Sequence, residues 1–149
     1  RGFKGLEHRL EYVRTEAGVL YYDDSFSTIP ETTIAAIQSF DAPLLLIVGG
    51  SEKRSDFTDL GKEIAQSHVK TLIIIGAMTT RIRDAVIAAG YKGELISHLS
   101  TMHEIVAVCK QKAHKGDVVL LSPACASFDM FKNYKERGLL FKQEVSRLS

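Results

Sequence analysis

The feature that most constrains this chain is the regular alternation of strand-like apolar runs with segments of helical spacing. Strand-like runs occur at 10–15, 19–22, 44–48, 71–75, 94–97 and 118–121. Helical spacing of apolar residues follows at 33–40, after Asp56, at 80–89, at 101–113 and at about 128–148, the last either continuous or broken near Gly138. Runs that are apolar throughout are typical of strands covered on both faces. The alternation therefore predicts an α/β fold, with a mostly parallel sheet and helices on both of its faces.

The first two strand-like runs differ from the others because no helix separates them. Gly18 lies in the short connection and can adopt the positive φ that a tight turn requires. We therefore expect an N-terminal hairpin that adds an antiparallel edge to the sheet.

Length and charge exclude several classes of protein. The 149 residues suffice for one domain, and the longest apolar run, Leu44–Val48, is far shorter than the roughly 20 residues of a membrane span. The formal net charge is +1, and the basic residues are scattered apart from a thin cluster of Lys132, Lys135 and Arg137, so no nucleic-acid partner is expected. The charged N-terminus has no apolar signal segment, and the start at Arg1 suggests a piece of a longer chain.

The cysteines and histidines show no disulfide or metal spacing. Cys109 and Cys125 form no disulfide framework and suggest a reducing compartment. The five histidines include no H-x-x-x-H pair, and there is no C-x-x-C, so no metal site is predicted. We interpret His98 and His103, between a strand end and a helix start, as surface or capping residues.

Four loops follow predicted strands and form the candidate site, because ligands of such sheets bind at the carboxyl ends of the strands. They are Asp23–Thr28, Gly49–Asp56, Gly76–Thr80 and Ser122–Phe128.

The first loop carries carboxylates and three hydroxyls just before a helix. The hydroxyls can cap the helix, and its N-terminus can attract an anion, so capping alone and ligand binding are both open. Asp23 and Asp24 would face opposite ways in a strand, which makes a shared proton a poor prospect.

The second loop combines two glycines with the cations Lys53 and Arg54. It lacks the spacing of a phosphate-binding P-loop, and no G-x-G-x-x-G occurs. On spacing alone, a solvated turn with Asp56 as a helix cap explains this loop somewhat better than a ligand site.

The last loop, Ser122–Phe128, is rich in small residues and permits a close approach of backbone to ligand. Ser127 can cap the last helix or bond a bound carboxylate. Cys125 has no evident base nearby, so we interpret it as a small packed residue rather than a nucleophile.

Together these segments resemble the Mur ligases. The stretch from Ser122 to Phe141 resembles the family pattern SPACASxDxFKNxxxRGxxF, which is highly specific. Three shorter segments agree in order: Leu6–Arg9 with L-x-H-R, Asp24–Thr28 with the D-S-K-A-T-N loop, and Gly49–Phe57 with G-G-x-x-K-x-x-D-F. The resemblance covers nearly all of the chain and is strongest to the members that add D-glutamate.

The resemblance implies a domain assignment and a reaction. Family members have an N-terminal UDP-binding domain, a central ATPase domain and a C-terminal Rossmann-like domain for the incoming amino acid, and residues 1–149 resemble only the third. In the implied reaction, ATP phosphorylates the carboxylate of UDP-N-acetylmuramoyl-L-alanine, and the amine of D-glutamate attacks the acyl phosphate. ATP and Mg²⁺ would be bound mainly by the central domain. The implied setting is peptidoglycan biosynthesis in the cytoplasm, on which cell shape and division depend.

The resemblance also implies roles for individual residues. Arg9 would meet a phosphate of the nucleotide, and Asp24 a ribose hydroxyl. No catalytic residue or metal ligand of the family falls in this chain, so we expect no ligase activity from it alone. The residues implied to contact D-glutamate are Thr28, Lys53, Ser127 and, through its nearby backbone, Tyr134.

The chain departs from the family loop at two positions. Phe26 and Ile29 stand where the D-S-K-A-T-N form has Lys and Asn, so one cation of the site is lost. Tyr134 stands where Phe is frequent, which is a mild change.

Three alternatives remain open. Members that add meso-diaminopimelate or lysine typically read D-x-x-R in the acceptor loop, and no such arginine lies near Ser127. Folylpolyglutamate synthase is a more distant relative. The alternative of another class is a free-standing Rossmann-like binding module without catalysis.

Overall fold

The computed structural model describes residues 6–51 and 55–149. The strands are β1 (Glu11–Glu16), β2 (Val19–Asp23), β3 (Leu44–Gly49), β4 (Val69–Ile75), β5 (Glu94–Ile96) and β6 (Val118–Leu121). The helices are α1 (Pro30–Gln38), α2 (Thr58–Gln66), α3 (Thr79–Ala88), α4 (Met102–Lys112) and α5 (Tyr134–Ser146).

The strands form one six-stranded sheet in the order β1-β2-β6-β3-β4-β5. All neighbours are parallel except β1 and β2, which pair as an antiparallel hairpin. The predicted fold class and hairpin are confirmed. Because β2 also pairs in parallel with β6, with Asp23 opposite Leu121, its carboxyl end lies beside that of β6.

Successive residues of the buried strands face two separate cores. Leu44, Leu46 and Val48 of β3 pack with residues of α1, α2 and α3. Leu45 and Ile47 of the same strand pack with residues of α4 and α5. Side chains alternate across a strand, so an apolar run buried on both faces requires helices on both sides.

Local signals explain where several helices begin and end. Pro30 occupies the first turn of α1, where its missing N–H costs nothing. Thr101 and Glu104 form a reciprocal capping box at the start of α4. Gly90 follows α3 with a φ of 86°, as expected of a residue that ends a helix. His98 and His103 are exposed, in agreement with their interpretation as surface residues.

The last helix is shorter than the sequence predicts. It begins at Tyr134 rather than near residue 128, because the Asn133 side chain accepts the Glu136 N–H at 2.9 Å and caps it there. Before this cap the chain turns, and the Ser127 carbonyl accepts the N–H groups of Met130 and Phe131. The helix is continuous through Gly138, so the open question of a break there is answered.

No helix in the described part of the chain combines the length and the apolar character needed to cross a bilayer.

Candidate functional site

Four loops meet at the carboxyl edge of the sheet, as the strand order requires. They follow β2, β6, β3 and β4, which are consecutive strands in the sheet. The backbone bonds that join them are Ala124 N–H to Ser27 O (3.0 Å), Gly49 N–H to Pro123 O (2.8 Å), Ser51 N–H to Ala126 O (2.9 Å) and Met78 N–H to Gly50 O (3.1 Å). The predicted loops therefore share one surface.

Gly50 allows two of these loops to touch. Its φ is 143°, and a Cβ there would lie 2.3 Å from the Ala126 carbonyl oxygen. A side chain would separate the β3 and β6 loops. At this glycine, the close backbone approach is therefore made by another loop of the protein.

Arg137 joins the first and last loops from inside. Its side chain is fully buried, whereas the sequence showed it only as a member of a thin cluster of basic residues. Nε donates to Ser25 Oγ (2.9 Å), Nη2 to the Ser25 carbonyl (2.8 Å) and Nη1 to the Cys125 carbonyl (3.0 Å). Burial lowers the pKa of Arg137 to about 10, so it stays charged at neutral pH. Ser25 Oγ in turn donates to the Tyr134 carbonyl at 2.7 Å.

The two adjacent carboxylates of the first loop hold different partners. Asp23 Oδ2 lies 2.7 Å from His8 Nδ1, and Asp24 Oδ1 accepts the Leu10 N–H at 3.0 Å. Each carboxylate therefore fixes one neighbour of Arg9. Burial raises the pKa of both aspartates above the usual value, and the hydrogen bonds that they accept oppose this shift. Their separate partners agree with the expectation that they do not share a proton.

Asp24 also ties the first loop to the last. Its Oδ2 accepts the hydroxyls of Ser27 (2.5 Å) and Ser122 (2.7 Å), and Ser122 Oγ lies 3.1 Å from Thr33 Oγ1. The contacts in the structure thus give Asp24 a part in holding the loops, and its contact with a ribose stays a prediction. We refer to His8, Asp23, Asp24, Ser25, Ser122 and Arg137 as the polar loop cluster.

Arg9 lies on the outside of this cluster. Its side chain is exposed, and its Cζ lies 4.8 Å from the centroid of the Phe26 ring. The Tyr134 ring meets Phe26 edge to face, with 5.2 Å between centroids. These three side chains, with Leu6, Glu7, His8 and Lys135, line a cavity of about 280 Å³. The Glu7 carboxylate is paired with the Lys142 ammonium at 3.3 Å. A cation above an aromatic face beside an open cavity is suited to an anionic ligand.

The other predicted residues lie around the same edge. Thr28 is half-buried at the end of the first loop, and Ser127 is buried in the last. Tyr134 is the first residue of α5, so its backbone N–H has no acceptor within the helix. Cys125 is fully buried, which confirms its interpretation as a packed residue. Lys53 lies outside the described residues.

One group of possible metal ligands occurs among the described residues. Ligand atoms of His8, Glu11 and Asp23 lie within 4.8 Å of one another. The Lys142 ammonium donates to both Glu11 oxygens, at 3.2 and 3.1 Å, and already supplies positive charge there. The internal partners account for this group without an ion.

Sequence reasoning missed Arg137 and His8 as structural residues of the site. Both are specified residues of the segments that resemble the family, and this was a signal that they contribute to the site. Their burial was not foreseeable, because their partners Ser25 and Asp23 are 112 and 15 residues away.

Comparison with known proteins gives one family throughout. The family model "Mur ligase, glutamate ligase domain" matches residues 8–125. UDP-N-acetylmuramoylalanine–D-glutamate ligases from Clostridium tetani and Symbiobacterium thermophilum are 44% and 46% identical to 99% of this chain. The chain covers 33% and 32% of their lengths, so it spans about a third of these curated relatives.

Solved structures agree at the level of the fold. A murein peptide ligase from Psychrobacter arcticus matches 99% of the chain with a TM-score of 0.69 at 15% identity, over 32% of its own length. The MurF ligase from Thermotoga maritima, solved in complex with ADP, matches 98% of the chain with a TM-score of 0.62 at 19% identity, over 33% of its length.

Proposed function

The chain belongs to the Mur ligase family, and we propose that it is the C-terminal, amino-acid-binding domain of a three-domain ligase that joins D-glutamate to UDP-N-acetylmuramoyl-L-alanine. The observation that carries this proposal is the identity of 44–46% with D-glutamate ligases over 99% of the chain. The convergence of the four loops at one sheet edge supports it, because an acceptor site needs donors from several loops around one small molecule.

The proposed task of this domain is to hold D-glutamate and present its amine. Thr28, Lys53 and Ser127 bind the two carboxylates, together with the backbone near Tyr134. Lys53 is a flexible point charge and suits a carboxylate. Positioning the amine against the acyl carbon supplies much of the rate gain in such a reaction. The amine attacks as the neutral form, and phosphate leaves as the amide bond forms.

Arg9 is the proposed contact to the nucleotide across the domain boundary. Its exposed guanidinium beside a cavity fits a phosphate, which it can bind bidentately. Asp24 is the proposed contact to a ribose hydroxyl. ATP and Mg²⁺ are held mainly by the central domain, and the ATP supplies the phosphoryl group that activates the acyl carboxylate. The proposed setting is peptidoglycan synthesis in the cytoplasm.

The test is acceptor-dependent phosphate release by the full-length protein that contains this chain. With ATP and UDP-N-acetylmuramoyl-L-alanine present, we expect release with D-glutamate and at most a trace with L-glutamate or lysine. Release with lysine or meso-diaminopimelate instead would assign the chain to another branch of the family.

The same assay on residues 1–149 alone should show no turnover. Turnover by this chain would contradict the three-domain proposal. If the full-length protein shows no acceptor-dependent phosphate release, the result would favour the alternative of a binding module without catalysis.

A further inference from the structure

We propose that Phe26 is a positioning residue for Arg9, and that it holds the guanidinium in the orientation that binds phosphate. The inference rests on the proposed function, since it assigns Arg9 to a nucleotide phosphate. Phe26 stands where the family loop has Lys, so it cannot be explained as part of the shared pattern.

The backbone on both sides of Arg9 is fixed. His8 is held by Asp23, and the Leu10 N–H by Asp24. The Phe26 N–H donates to the His8 carbonyl at 2.8 Å, so the ring is carried by the same bonded unit as Arg9. His8 and Leu10 both have positive φ, of 65° and 42°, a conformation that persists only when the surroundings impose it.

The Arg9 side chain, in contrast, is held mainly by Phe26. No ion pair within residues 6–51 and 55–149 includes Arg9. Its Cζ lies 4.8 Å from the Phe26 centroid, and the Tyr134 ring supports Phe26 from the side. A carboxylate partner would occupy the in-plane N–H donors of the guanidinium. A ring beneath its face leaves those donors free for an anion.

Phe26 thus orients Arg9 at a position where the D-S-K-A-T-N form carries a cation. A Lys at this position would add charge next to Arg9 and would give the guanidinium no platform. With Phe26, the rotamers of Arg9 are restricted before the phosphate arrives, which lowers the entropy lost on binding.

The test is a mutant cycle in the full-length protein, with KM for ATP, KM for D-glutamate and kcat as readouts. Phe26→Leu should raise the KM for ATP about two- to fivefold, the range of an exposed cation–π contact. It should leave kcat and the KM for D-glutamate within about twofold. Phe26→Tyr, which keeps the ring, should restore the natural KM for ATP. Tyr12→Leu removes an aromatic ring of similar exposure (43% against 40%) from β1, where the ring meets Tyr22 edge to face instead of Arg9, and it should change none of the three.

The decisive comparison is with Arg9→Met. In that background Phe26→Leu should have no further effect on the KM for ATP, because a residue that acts through Arg9 has nothing left to position. A persisting effect, an effect on D-glutamate instead, or no effect of Phe26→Leu at all would overturn the inference. An unchanged KM for ATP in Arg9→Met would overturn it as well, while D-glutamate-dependent turnover would still support the proposed function.

Discussion

Leu72 in β4 and Arg137 in α5 are both fully buried, yet they are stabilised in different ways. Leu72 contacts apolar side chains of the sheet core, where attraction is non-directional and depends on the area removed from water. Arg137 donates to defined atoms of two loops, one of them 112 residues away. The apolar core therefore sets the fold, whereas the polar loop cluster sets the shape of the candidate site.

The largest expected loss of stability comes from the core. Leu72→Ala should lower the free energy of unfolding of residues 1–149 by about 2–5 kcal/mol, because a buried Leu side chain is replaced by a cavity. In the full-length protein, we expect the KM for D-glutamate to stay within about twofold. Urea unfolding and steady-state kinetics measure the two quantities. A large rise in this KM would show that the apolar core, and not the polar loop cluster alone, sets the shape of the candidate site.

Arg137→Met tests the polar loop cluster. The change leaves the Ser25 and Cys125 carbonyls without the donors that they have now, at a cost of about 3 kcal/mol in the free energy of unfolding. Because these bonds join the first and last loops, the KM for D-glutamate should rise at least tenfold. Arg147→Met is the control, since the Arg147 side chain is 68% exposed, and it should change stability by less than about 0.5 kcal/mol. Natural kinetics in Arg137→Met would contradict the role of the cluster.

Gly138→Ala tests the contact between α5 and the cluster. A Cβ at this position would lie 2.3 Å from His8 Nδ1 and 2.8 Å from Asp23 Oδ2. In an ordinary helix this substitution gains up to about 1 kcal/mol, but here we expect a loss of about 1–3 kcal/mol in urea unfolding. Gln143→Ala, on the exposed side of the same helix, should change little. A higher free energy of unfolding in Gly138→Ala would show that α5 does not contact the polar loop cluster closely at this position.

The smallest expected effect concerns pH. Burial raises the pKa of Asp24 above its ordinary 3.8, so the folded chain binds this proton more tightly than the unfolded chain. The contribution of this titration to stability is complete below pH 3.8 and is lost as the pH rises through the raised pKa. Asp24→Asn removes the titration. The difference in unfolding free energy, natural chain minus variant, should therefore fall as the pH rises above 3.8. A difference that rises over this window would mean that the hydrogen bonds to Asp24 outweigh its burial.

The apolar pattern predicted the sheet and both layers of helices because periodicity is a local signal. The runs 44–48, 71–75 and 118–121 each lie within one strand, and their two-sided burial follows from their composition. The meeting of the loops at one edge then follows from parallel pairing. These features needed no knowledge of tertiary contacts.

The start of α5 and the buried Arg137 were not predictable in this way. Met130 and Phe131 pack against the core from a turn, so their apolar character imitates the spacing of a helix. Arg137 lies in α5, where the spacing of the apolar residues does not show whether a charged side chain faces the solvent or the core. Its partners, Ser25 and Cys125, lie in loops outside the helix. Directional bonds between distant segments leave no periodic trace in the sequence.

The proposed acceptor site is tested most directly by Lys53→Ala in the full-length protein, with Lys62→Ala on the exposed side of α2 as the control. A charge-assisted bond to a carboxylate of D-glutamate predicts that the KM for D-glutamate rises about ten- to hundredfold. ATP-dependent formation of the acyl phosphate should continue, because that step precedes the attack of the amine. An unchanged KM for D-glutamate, or loss of acyl-phosphate formation together with it, would contradict the assignment of this sheet edge to the incoming amino acid.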